Sequence, residues 1–214
     1  MAEATESTAP FWSRYTDGSG IWRRNQYRPP GEHLAAMRAG AGRDPGTVPG
    51  MWELHSEFPD ASWRSRHHDA WAVPNRFEAE HHALVLYGFH QQSVGEPMHR
   101  TEVSVGTALR QLGRSGRASE AGVVRMLTAA ATATSLAELS QHLRRVVTRL
   151  RGARIPLDYD RLLDDLTRWQ HPDAQGRVRR RWGLDFFVAP AGNEQADEGA
   201  STAETTNPER APSA

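Results

Sequence analysis

An all-α fold, a compact helical bundle in two lobes, is what this sequence predicts, on three observations. Apolar residues recur at helical spacing through most of residues 74–187. Serine or aspartate stands just ahead of several of these runs, where helix caps belong. No alternating apolar and polar segment of useful length offers a strand. With 214 residues, 38% of them hydrophobic, the chain has room for one core.

Taken in order, the expected N-terminal lobe covers residues 10–97. Within it, residues 40–62 are rich in Gly and Pro and read as loop, with one short helix around Met51–Phe58. Pro74 suits the first position of a helix carrying Phe77, Ala83, Leu84, Leu86, Tyr87 and His90. The expected C-terminal lobe covers residues 98–189. Ser104 caps a helix with Val105, Ala108, Leu109 and Leu112, which Gly113 is expected to end. Ser119 begins another, with Val123, Val124, Leu127, Ala130 and Ala131 on its apolar side. Ser135 and Glu138 form a capping box for a helix with Leu136, Leu139, Leu143, Val146, Val147 and Leu150 on one face, ending at Gly152. Asp158 and Asp160 open a helix striped by Tyr159, Leu162, Leu163, Leu166 and Trp169. Val178, Trp182 and Phe186 fall at i, i+4 and i+8 on the last helix, as core anchors rather than base-stacking platforms. From residue 190 no aromatic residue and no aliphatic larger than Ala occurs, so residues 190–214 are expected to form a disordered acidic tail.

Composition excludes several functions. There is no cysteine, hence no disulfide, thiolate metal site or cysteine nucleophile. No apolar run of 18 residues spans a membrane, and MAEATESTAP lacks the basic start and apolar middle of a signal peptide. A cytoplasmic protein without cofactors or membrane contact is expected. The formal net charge of zero hides an asymmetry. Residues 1–97 hold nine Arg against twelve acids, residues 98–189 sixteen against nine, and the tail one against five. There is no lysine, and guanidinium is always charged and grips phosphate in bidentate fashion.

The arginines cluster in two places. QGRVRRRWGLDFF, residues 175–187, carries Arg177, Arg179, Arg180 and Arg181. Arg177 and Arg181 repel as i, i+4 neighbours, with Asp185 expected to relieve Arg181. Removing Arg181 is therefore expected to leave stability almost unchanged. On the Ser135 helix, Arg145 and Arg149 lie opposite the apolar stripe, while Arg144 and Arg151 share a flank. The helix between them pairs its own charges, Asp164 with Arg168 and Arg161 with Asp165. Plain solvation accounts for any one arginine, but the uncompensated set suits a polyanion. No base-reading motif or phosphate loop accompanies it, so backbone phosphates are the expected ligand.

The alternative is an enzyme. His67-His68-Asp69 matches the His-Asp dipeptide of all-helical metal-dependent HD-type phosphohydrolases, which need further His and Asp ligands from other helices. The adjacent His81 and His82 point about 100° apart on a helix, poor geometry for one metal. No metalloprotease, P-loop or nucleophile-elbow motif is present.

The order VSVGTALRQLGRSGR, HLRRVVTRL, IPLDYDRLLDDLTRWQ and VRRRWGLDFF resembles the small subunit, or CasB family, of the type I-E CRISPR surveillance complex Cascade. FWSRYTDGSGIWRRNQYRPP extends the likeness upstream, so that it covers most of residues 10–189. The resemblance implies a helical, non-catalytic protein that sits as a pair, beside a second copy of itself, against the backbone and large subunits of Cascade. Its basic surface would hold the target DNA strand bound to guide RNA, and the displaced non-target strand, during R-loop formation in antiviral defence. Matching positions suggest Arg23 and Arg24, Arg114 and Arg117, Arg144 and Arg145, and Arg177, Arg179, Arg180 and Arg181 as nucleic-acid contacts. AAATATS, at 129–135, lacks the basic residues that relatives often carry there.

Truncation after Ala189 is expected to leave the melting temperature nearly unchanged, because the removed segment has no side chain able to join a core. A drop of several degrees in a thermal melt would show that it docks.

Overall fold

The computed structural model describes residues 9–24, 28–57 and 73–188. Their elements are a 3₁₀ turn at Phe11–Arg14, α1 at Gly31–Ala39, a second 3₁₀ turn at Pro49–Leu54, α2 at Asn75–His90, α3 at Val105–Arg114, α4 at Glu120–Ala131, α5 at Leu136–Ala153, α6 at Tyr159–Trp169 and α7 at Pro172–Phe187. Among the described residues there is no strand, only isolated bridges joining Thr16 to Trp22 and His99 to Leu157. No helix among them is long and apolar enough to cross a membrane. The acidic tail and His67-His68-Asp69 lie outside the described residues.

Four helices start where their side chains dictate. The hydroxyls of Ser104, Ser119 and Ser135 accept the amides of Thr107, Gly122 and Glu138 at 3.2, 3.2 and 3.1 Å, and the Asp158 carboxylate accepts that of Arg161 at 3.0 Å. Each cap satisfies an amide that the helix leaves without a partner, worth about 1 kcal/mol. The capping box at Ser135 is shifted by one residue. Glu138 accepts the amide and hydroxyl of Thr134, at 2.8 and 2.9 Å, rather than the amide of Ser135.

Boundaries differ from expectation where tertiary contacts outweigh local propensity. Pro74 sits at the cap position of α2, one residue before the first helical position. The short helix near Met51 is a 3₁₀ turn ending at Leu54. Gly113 and Gly152 lie inside α3 and α5 instead of ending them. The left-handed residue that closes α5 is Arg154, with φ of 57°. There Ile155 N donates to Leu150 O at 3.0 Å and Arg154 N to Arg151 O at 3.1 Å, a Schellman closure. Burial of the apolar Ile155 against the core offsets the steric cost of the left-handed conformation at Arg154.

α2 lies at the centre, packed against α1, α5 and α6, while α3 crosses α7 and α4 bridges α3 and α5. Two crossings need glycine. A Cβ on Gly88 would meet the Met37 Cβ of α1 at 2.6 Å, and one on Gly106 would meet the Trp182 carbonyl of α7 at 2.2 Å. The buried apolar side chains form one cluster from Phe11 to Phe186. Trp12 packs on Tyr87 and Tyr159 with ring centres 6.0 and 5.4 Å away, tying the N-terminal segment to α2 and α6.

Several histidines are spent inside this core. His90 Nε2 lies 3.0 Å from the Ile155 carbonyl and so carries the proton, leaving Nδ1 to accept the Tyr159 hydroxyl, also at 3.0 Å. Burial pushes the His90 pKa down to about 3 and those of His55 and His82 to about 4, against 6.5 for free imidazole. The unfolded chain therefore binds more protons than the folded one below about pH 6.5, so stability is lost as pH falls from there toward 4. Glu80, whose pKa burial raises, works in the opposite direction nearer the carboxylate range. Thermal melts between pH 7 and pH 5 are expected to show a falling transition temperature, and a flat profile would contradict neutral burial of these rings.

Candidate functional site

The arginine-rich helices divide their guanidinium groups between the interior and the surface. On α7, Ala174, Val178, Trp182 and Phe186 face inward, and Trp182 has no exposed surface. Its indole donates to Asp165 Oδ2 of α6 at 2.7 Å and stacks on Trp169, ring centres 5.6 Å apart. Asp165 is 1% exposed and forms an ion pair with Arg181. Asp185 instead accepts Arg161 at 2.7 Å, and Asp164 lies 3.7 Å from Arg76 of α2. The local pairings expected along α6, Arg161 with Asp165 and Asp164 with Arg168, are thus replaced by pairs between helices. A carboxylate facing the α6–α7 seam is reached more directly from the neighbouring helix than by a residue on its own.

Other arginines serve the ends of helices. Each arginine that donates to a backbone carbonyl among the described residues does so at or just beyond a helix or 3₁₀ C-terminus. Arg38 and Arg151 reach Gly88 and Phe89 in the last turn of α2, at 3.4 and 3.1 Å. Arg117 reaches Gly152 near the end of α5, and Arg110 reaches Val188 just past α7, both at 2.6 Å. Arg179 reaches Ala133 after α4 at 3.3 Å, with its guanidinium 4.9 Å from the centre of the Trp169 ring. Arg23 reaches Ser13 at 3.1 Å, and Arg14 reaches Glu53 at 3.3 Å. These carbonyls have no helical partner and sit at the negative end of the helix dipole, so a cation is favoured there.

The ten arginines suggested by sequence therefore fall into two groups. Arg23, Arg117 and Arg179 hold carbonyls and Arg181 holds Asp165. Arg24, Arg114, Arg144, Arg145, Arg177 and Arg180 are exposed and form no ion pair among the described residues. The Arg144 guanidinium lies over the Phe89 ring, 5.6 Å from its centre, a cation–π contact made by a side chain that is otherwise exposed. Arg144, Arg145 and Arg149 together line an open groove between α5 and α4, with Met126 and Thr148. Arg114 belongs to another cavity, with Arg110, Gly113, Glu120, Phe186 and Phe187. Arg149 was legible from its place beside Arg145 on the helical wheel and stands within HLRRVVTRL, although it is not among the contacts that the resemblance suggests.

One cluster has the composition of a metal site. Ligand atoms of His99, Asp158 and Asp160 lie within 4.8 Å of one another. Each group already serves the fold. Asp158 accepts the amides of Glu102 and Arg161, His99 Nδ1 accepts that of Tyr159 at 3.2 Å, and Asp160 accepts the Trp12 indole at 2.8 Å. Burial lowers the His99 pKa against the opposing pull of the two carboxylates, keeping the ring neutral. His81 is buried and His82 half-buried, their planes 81° apart, and His81 Nε2 meets the Gly40 carbonyl at 3.2 Å.

The comparisons agree with this architecture. The family of the CRISPR-associated protein Cse2 matches residues 33–187. The crystal structure of CasB from Thermobifida fusca is 31% identical, with a TM-score of 0.57, covering 73% of this chain and 84% of that one. A Cse2-family protein from Thermus thermophilus shares the fold at 22% identity and a TM-score of 0.53, covering 74% and 86%. A chain of a CRISPR RNA-guided surveillance complex does so at 24% identity and a TM-score of 0.53, covering 74% and 82%. No curated protein sequence matches.

Arg181→Ala is expected to lower stability by about 3 kcal/mol, because it leaves Asp165 charged and buried without its partner. This reverses the small effect expected from sequence. Arg180→Ala, one residue away and exposed, should stay within about 0.5 kcal/mol of the parent. Urea unfolding of both variants decides it, and equal stability would mean that the ion pair does not hold α7 to α6.

Proposed function

Since the chain belongs to the Cse2 (CasB) family of CRISPR-associated proteins, we propose that it is the non-catalytic small subunit of a type I-E Cascade complex. In this reading it packs beside a second copy, against the backbone and large subunits of a complex that contains guide RNA. Its arginine surface holds the target strand and the displaced non-target strand while the R-loop opens. The surveillance-complex chain of the same fold supports that setting.

The observation that carries the reading is the run of exposed guanidinium groups without acidic partners, above all Arg144, Arg145 and Arg149 along the α4–α5 groove. Arg154, at the end of the same helix, is by contrast neutralised by Glu96 at 2.6 Å. Charge left unpaired attracts a polyanion by releasing its counterions. Where RNA pairing supplies sequence recognition, a protein needs phosphate contacts and no base-reading helix. Arg24, Arg114, Arg177 and Arg180 extend the surface. Arg23, Arg117, Arg179 and Arg181 first hold the scaffold and can offer only their remaining N–H groups.

Binding to single-stranded DNA should weaken with salt, with a log–log slope of about −0.7 per phosphate neutralised. Replacing Arg144, Arg145, Arg149 and Arg180 by Ala should flatten the slope by up to that amount for each arginine that had held a phosphate, without changing helicity. Fluorescence anisotropy across a salt series measures it, and a folded variant with the parental slope would overturn the assignment.

A further inference from the structure

The outward face of α7 changes character along its length. At about 100° per residue, Arg177, Arg180, Leu184 and Phe187 share one side of the helix, opposite the buried Val178, Trp182 and Phe186. The two arginines are exposed, Leu184 is 55% exposed and Phe187 71%. Phe187 stands edge-on to Phe186, ring centres 4.8 Å apart, and so is braced from the core side. The next residue, Val188, is pinned through its carbonyl by Arg110 at 2.6 Å. Phe187 also lines an open cavity with Arg110, Arg114 and Gly113, where Glu120 is the one acid. Asp173, the other acid on this side, stands at the opposite end of the helix beside Arg177.

We propose that Phe187 is a stacking platform for an unpaired base of a single-stranded nucleic acid, whose flanking phosphates are held by Arg114 and Arg180. A large exposed aromatic ring on a braced helix end costs little to order on binding. Bases stack on such rings without sequence preference, while neighbouring cations track the backbone. The seven residue steps from Arg180 to Phe187 span about 10 Å along the helix axis, within reach of one nucleotide and its neighbouring phosphate for a long arginine side chain. A purely apolar protein partner would have to desolvate the guanidinium groups around the ring, whereas a nucleic acid pairs with them. The inference rests on the nucleic-acid reading above and assigns it a base contact that sequence placed at neither Trp182 nor Phe186.

The test compares Phe187→Ala and Phe187→Leu with the parent on a single-stranded DNA and on the same strand made abasic throughout its centre. Both substitutions should weaken binding to the intact strand by about 5- to 150-fold. Neither should alter binding to the abasic strand, and the salt slope should remain parental. Equal weakening on both strands, or none on either while the parent binds with its salt dependence, overturns the stacking role and leaves the arginine surface standing. Unchanged strand binding together with loss of self-association in sedimentation would assign the patch to a protein interface instead, and so also overturns it. A parent that binds neither strand at low salt would overturn the nucleic-acid reading and this one with it.

Discussion

The arrangement of α7 depends on one buried carboxylate. Asp165 is inside the α6–α7 seam, where a bare charge costs several kcal/mol unless it is paired and hydrogen-bonded. It has both kinds of partner, the guanidinium of Arg181 and the indole of Trp182. Because those two residues are adjacent, satisfying Asp165 fixes the rotation of α7 about its own axis. Trp182 then stacks on Trp169, whose ring is also met by Arg179. The rest of the rotation follows: Val178 and Phe186 point inward, and Arg177, Arg180 and Phe187 point away. Gly106 lets α3 close on this helix at backbone distance, so the rotation is held from two sides.

Helix content was legible because caps and stripes are local signals. Ser104, Ser119, Ser135 and Asp158 each cap the helix that their position announces, and the stripes on α5 and α6 are buried as their spacing requires. α1 carries no such signal. Its one fully buried residue, Met37, is placed by contact with Gly88 of α2, which no local pattern reveals. The ends of α3 and α5 were misjudged for a related reason. Gly113 and Gly152 favour a stop, but a glycine in a helix costs only about 1 kcal/mol, which tertiary packing readily offsets.

The candidate site was legible by composition and not by role. Sequence located the arginines on α5 and α7 but treated charge pairing as a property of one helix at a time. Once Asp165 and Asp185 take partners from across the seam, the same residues change meaning. Arg181 becomes a structural cation, while Arg180 beside it stays at the surface. Arg117 and Arg179 could not be told from Arg114 and Arg177 without knowing which helix ends lie near them. Helical spacing already sets Phe187 apart from its buried neighbour Phe186, but no local signal says that it stays exposed beside Arg110 and Arg114.

The two kinds of arginine are electrostatically less different than their contacts suggest. An ion pair with a carboxylate cancels the charge of the guanidinium, as between Arg161 and Asp185. A hydrogen bond to a helix C-terminal carbonyl opposes only the partial charge of the helix end, about half an elementary charge. Arg110, Arg117, Arg151 and Arg179 thus fasten helices together and remain net positive. Lysine, a compact ammonium, has three donors where guanidinium has five and lacks the planar fork, so one that caps a carbonyl has no bidentate edge left for a phosphate. A chain whose basic residues are all arginine can therefore use the same side chains to close its helices and to maintain a positive field around α5 and α7. The field persists because the fold does not need acids to hold those side chains in place, while the two carboxylates of the α6–α7 seam neutralise Arg161 and Arg181 instead.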